Sequence, residues 1–149
     1  MDAVLWALLG VVAGACIAVQ APLNTQLGKD LAMPVAAAAM SFLAGAVVLV
    51  VVMLVVSRVQ GSGPHWAAPA PWLYFAGGTL GTVYVTAAIL LTPRIGAAAV
   101  MALSVAGQLL AGIVLDRIGF MGLAVRELSF GRIAGAVLLV AGVLLIRLF

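Results

Sequence analysis

Very little of this chain is charged: seven Lys and Arg and four Asp and Glu make up 7% of its 149 residues, whereas 66% are hydrophobic. A soluble domain carries roughly 25% charged residues, so a water-facing globule is excluded and the chain is dissolved in lipid. Whole windows of about 20 residues hold no charge, which matches bilayer thickness rather than the alternating faces of a soluble core. The one cysteine, Cys16, cannot close an internal disulfide and reads as a small apolar packing residue. The one histidine, His65, lies in a proline-rich loop without a metal-spaced companion, and Cys16 has no nearby His. Metal and nucleophilic chemistry therefore lack their parts, and neither enzyme activity nor a cofactor is expected. No basic run interleaved with aromatics points to nucleic acid. The net charge of +3 comes from few residues near span ends, which read as interfacial anchors.

Ala13, Gly14 and Ala15 before Cys16 give the start of the chain one feature of a lipoprotein-type export signal. Against that, it offers Asp2 and no Lys or Arg, and the apolar run continues past Cys16, so a retained span is expected.

What is present is five apolar stretches, at about residues 3–27, 34–57, 72–92, 97–115 and 131–148, expected to form a single transmembrane domain over 1–149. The first is apolar to Val19 and then carries Gln20, Pro22, Asn24 and Gln26; Pro22 is expected to kink or break it. Gly28-Lys29-Asp30 reads as the connection to the second span, where Pro34 sits at a first-turn position. Residues 59–71 hold two glycines and three prolines and read as a loop. Trp72 and Tyr74 open the third span, where aromatic rings favour the headgroup boundary. Pro93, Arg94 and Gly96 read as a tight turn, and a mixed connection through Phe120, Met121, Leu123, Arg126 and Glu127 follows the fourth span. The apolar part of the last span, Ile133 to Ile146, is short for a crossing and is expected to borrow Ser129–Arg132 and Arg147–Phe149, with both arginines snorkelling.

An odd number of spans puts the termini on opposite sides. One side then carries Arg58, Arg117, Arg126 and Arg132, the other Lys29, Arg94 and Arg147. Orientation follows the Lys and Arg bias of short loops. Four against three is almost no bias, so dual topology is expected.

Gly107-Gln108-Leu109 through Asp116, then Gly131-Arg132-Ile133-Ala134-Gly135 and Val137 to Val143, resemble the carboxyl end of the YdcZ-type transporters. Val19-Gln20 with Leu23 and Asn24 match the amino-terminal signature of these five-span members of the drug/metabolite transporter superfamily. The resemblance covers nearly the whole chain. It implies half of a ten-helix inverted-repeat transporter in a bacterial inner membrane, completed by a second copy or a paralogue. It also implies kinship with the small multidrug resistance proteins, four-span antiparallel dimers whose final helix dimerises. Gly135 and Gly142 lie seven residues apart on one helix face with Gly131 near the same stripe, and small residues permit close helix association in lipid. These three glycines are the expected dimer interface.

Gln20 and Asn24 are four residues apart on one helix face, and Pro22 between them frees backbone groups for a solute or water. They either line a cavity or join helices through hydrogen bonds, each worth about 0.6–2 kcal/mol in membranes. The multidrug relatives carry a proton-binding acid in the first span; a similar alignment puts Gln20 there, which cannot titrate. All of Asp2, Asp30, Asp116 and Glu127 sit at span ends or in connections. Proton exchange on a buried carboxylate is thus unsupported, and a neutral or zwitterionic solute fits better. Thr79, Thr82 and Thr86 share a face of the third span unless they back-bond to their own helix, with Tyr84 pointing elsewhere toward lipid or a partner. Ser104 and Gln108 share a face of the fourth. Asp116 reads as an interfacial partner of Arg117 or of another loop's arginine.

The expected fold is all-α and polytopic. The expected function is alternating-access transport of a small neutral or zwitterionic solute by an antiparallel dimer, with Gln20, Asn24, Ser104, Gln108, Thr79 and Thr82 contacting it. A structural or accessory membrane subunit, or a small solute channel, remains the alternative.

Overall fold

A computed structural model describes residues 2–148; Met1 and Phe149, the ends of the expected domain, and the side chain of Asp2 lie outside the described residues. The elements are α1 (Asp2–Asp30), α2 (Pro34–Gln60), α3 (Leu73–Ile95), α4 (Ala97–Ile118) and α5 (Phe130–Leu148), with a single 3-10 turn at Phe120–Gly122. No strand occurs among the described residues, and all five helices are long and apolar enough to cross a membrane. The Val-rich run from Val47 to Val56 would suit a strand in water, yet it is helical. In lipid a lone segment must satisfy its own backbone, and only the helix does so.

The helices run further than the sequence pattern suggests. Pro22 lies inside an uninterrupted α1, so no break occurs there, and Gly28-Lys29-Asp30 is the last turn of that helix rather than a connection. Gln26 Nε2 donates to Asp30 Oδ1 at 2.8 Å across this turn. The chain reverses at Leu31–Met33, where the Met33 N–H bonds to the Gly28 carbonyl and the Ala32 N–H to the Lys29 carbonyl, a Schellman closure. Ala32 takes the left-handed position with φ 52°, at a cost of roughly 1–2 kcal/mol that glycine would avoid. Pro93 and Arg94 likewise fall inside α3, and the expected three-residue turn reduces to Gly96 at φ 81°. At the far end α5 takes in residues 130–132 and 147–148 beyond its apolar run, while Ser129 stays outside the helix and Phe149 lies outside the described residues.

The chain divides into two compact units, Met1–Pro93 and Arg94–Phe149. In the first, α1 packs along α2, and Ala37, Ala38, Val85 and Ile89 form the core with Leu27 and Tyr84 against it. Small side chains set the approach. A Cβ on Gly28 would stand 3.3 Å from both Ile89 Cγ2 and Pro34 Cα, and one on Gly81 3.1 Å from Phe42 Cζ. In the second unit α4 packs along α5, whose buried residues Ala136 and Val143 are two turns apart on one stripe. Outside these seams large apolar side chains such as Leu49, Leu80 and Leu138 stand exposed, as lipid-facing positions require.

Candidate functional site

The polar half of α1 meets a hydroxyl on α2. Gln20 Nε2 donates to Ser41 Oγ at 3.2 Å, and Asn24 Nδ2 donates to the same oxygen at 3.1 Å. The two amides stand one turn apart, so a single hydroxyl serves both. Asn24 is buried, as is Thr25, whose hydroxyl returns to the Ala21 carbonyl at 2.8 Å. Besides this link between helices, Gln20 borders two spaces. One is a groove of about 330 Å³ along Ser41, Phe42, Gly45 and Leu49. The other is a crevice of about 10 Å³, roughly the room one water needs, walled by Gln20, Asn24, Tyr84 and Ala88.

Ser41 is a site residue that sequence reasoning missed. A hydroxyl deep in an otherwise apolar span is its only signal, and nothing in the run shows which face meets α1. Tyr84 corrects an expectation: rather than pointing to lipid it packs against the Ala37–Ala38 core, where the alanines leave room for a ring. Its hydroxyl is buried and has no hydrogen-bond partner.

Thr79 and Thr82 take the back-bonded alternative. Thr79 Oγ1 donates to the Phe75 carbonyl at 2.9 Å, and Thr82 Oγ1 reaches the carbonyls of Gly78 at 2.9 Å and Thr79 at 2.8 Å. Both are exposed, and neither lines the groove or the crevice. Ser104, in the second unit, also back-bonds, to the Val100 carbonyl at 2.8 Å.

Gln108 opens onto a groove of about 450 Å³ between α4 and α5, with Asp116, Gly131, Arg132 and Gly135 on its walls. Asp116 pairs with Arg132 rather than with its neighbour Arg117, in a half-exposed ion pair. Each ion sits where the helix dipole disfavours it, the acid at the carboxyl end of α4 and the base in the first turn of α5. Pairing offsets both penalties. The Arg126 N–H returns to the Asp116 carbonyl at 3.0 Å, which ties the connection to the same corner. Arg132 Nη1 is buried without a partner.

The three glycines expected at an interface are open: a Cβ on Gly131, Gly135 or Gly142 would meet nothing within 4 Å. The stripe that packs within the unit is the adjacent one, through Ala136 and Val143. Among the described residues no three His, Cys, Asp or Glu side chains gather where they could hold a metal ion.

Residues 5–145 match the family described as "Putative inner membrane exporter, YdcZ". The chain is also 32% identical over 136 residues to the inner membrane protein YdcZ of Escherichia coli strain K12, covering 91% of this chain and 90% of that one. No solved structure matches. Five membrane-length helices fall within or overlap the matched stretch, and the likeness runs nearly end to end in both chains. The chain therefore belongs to the YdcZ family and is an integral inner-membrane protein.

Proposed function

We propose that this protein is a secondary transporter that moves a small neutral or zwitterionic solute by alternating access, and that it works as an antiparallel dimer. Transport as such agrees with membership of a family described as exporters. The observation that carries the solute reading is the placement of Gln20, whose amide bonds Ser41 and whose side chain borders both the groove and the crevice of the first unit. No charged residue lines either space. An ion there would lose its hydration without a counter-charge, at a cost of several kcal/mol, so an uncharged or internally balanced solute is favoured. Asn24 contributes to the same path; Ser104 and Gln108 and, from the exposed face of α3 outside both spaces, Thr79 and Thr82 supply further contacts in the dimer.

Pairing is favoured by the even spread of basic residues and by the open glycines of α5, since helices associate in lipid where small residues let backbones approach. Two inverted copies would enclose a site near the bilayer midplane. The clamp on Ser41 favours a second reading as well, an accessory subunit whose polar residues serve assembly alone.

Gln20→Ala separates the two. In reconstituted protein the transporter reading expects intact assembly with uptake lowered at least tenfold, about 1.4 kcal/mol or more on the transport step. No solute flux from the unsubstituted protein, with assembly alone suffering when Gln20 is changed, decides for the accessory subunit; intact uptake by the variant removes Gln20 from the solute path. For orientation, a cysteine added at the carboxyl terminus is expected to label from both sides of intact cells; labelling from one side would remove the homodimeric dual-topology arrangement.

A further inference from the structure

Tyr84 stands in an unusual position for a membrane helix. Its hydroxyl is shielded from the surroundings yet bonded to nothing, although threonines on the same helix all find a carbonyl where their bonds are seen. A buried hydroxyl without a partner loses its hydrogen bonds to water and gains none in return. Phenylalanine would fill the same volume without that cost. The crevice it borders is also walled by Gln20 and Asn24, and each of those amides donates one N–H to Ser41, which leaves its carbonyl oxygen able to accept and a second N–H able to donate. The remaining walls, Ile17, Ala21, Val85 and Ala88 among them, are apolar.

We propose that the crevice between α1 and α3 binds the hydroxyl group of a small uncharged solute, with Tyr84 as a direct contact. This rests on the reading of Gln20 and Asn24 as solute-lining residues and names the class of group they take. A hydroxyl can donate to an amide oxygen and accept from the phenol at once. A carboxylate or an ammonium would bring a full charge into a crevice whose walls hold no counter-charge. The space of about 10 Å³ suits one such group rather than a whole solute, so the rest of the molecule extends away from the crevice.

The chain's single cysteine makes the test direct. In a Cys16→Ala background, Ala88→Cys and, separately, Ala21→Cys place a thiol on the crevice wall, and Leu80→Cys places one on the strongly exposed side of α3. The thiolate attacks the sulfur of methanethiosulfonate reagents and displaces sulfinate, and it forms only where water reaches, so the wall positions should react about tenfold faster than position 80 in liposomes. Molar glycerol should slow that reaction several-fold. Tyr84→Phe should abolish the glycerol effect without lowering the melting temperature, since it removes no bond. Wall positions as slow as position 80 would show that nothing polar enters. Fast labelling that glycerol leaves unchanged would mean water alone. Protection by acetate or tetramethylammonium instead would overturn the ligand class, and a fall of several degrees in melting temperature with Tyr84→Phe would make the hydroxyl structural. A glycerol-protected crevice in a protein that moves no solute would keep this binding site and remove the transport reading.

Discussion

The two units handle polarity in opposite ways. The first, built from α1 to α3, keeps neutral amides and hydroxyls at its helix seams and joins them by hydrogen bonds on Ser41. The second, built on α4 and α5, places a carboxylate and a guanidinium at helix ends and joins those by charge, leaving its glycines open. The difference teaches where each kind of group is tolerable. A neutral hydrogen bond between helices is modest but inexpensive anywhere in the bilayer, whereas a full charge is held at low cost only near the interface.

Four substitutions would break or sharpen this contrast. The largest effect is expected at Gly28, where the first unit depends on close approach: Gly28→Leu has no room beside Ile89 and Pro34 and should destabilise by about 3 kcal/mol, read as an unfolding midpoint in detergent. A neutral result would mean that α1 does not need this contact. Next comes the ion pair of the second unit. Asp116→Ala leaves Arg132 half-buried and unpaired and should cost about 1–2 kcal/mol, less than a fully buried pair because both side chains remain partly solvated. Adding Arg132→Met should restore most of the loss. If it restores none, the two residues act separately and the electrostatic account of this unit fails. The smallest effect is expected from Ser41→Ala, which removes two neutral bonds that share one acceptor oxygen and should cost about 0.6 kcal/mol in all. A loss as large as that at Asp116 would erase the contrast between the units.

Much of the architecture is legible in the chain itself. The five spans follow from long uncharged windows, and the loop after Gln60 follows from its glycines and prolines. The helices run longer than the sequence suggests because Pro22, Pro93 and the Gly28-Lys29-Asp30 turn look like breakers, while a membrane helix gains more from completing its own hydrogen bonds than it loses at one proline. The amides of Gln20 and Asn24 were legible by spacing. Their partner Ser41, the inward turn of Tyr84 and the choice of Arg132 over Arg117 were not.

That division has a physical cause. In a soluble helix the polar face reports which side is buried, but these helices are apolar nearly all round, so their composition determines that they span lipid and where they stop. It is silent on rotation about the helix axis. Which residues face a neighbouring helix depends on how small side chains such as Gly28, Gly81, Ala37 and Ala38 let the backbones approach. Composition by itself therefore determined a five-span membrane protein with amides in one span. Only close packing of the helices decided that those amides share one hydroxyl, that a tyrosine stands over them unbonded, and that the carboxylate at the end of α4 meets an arginine across a groove.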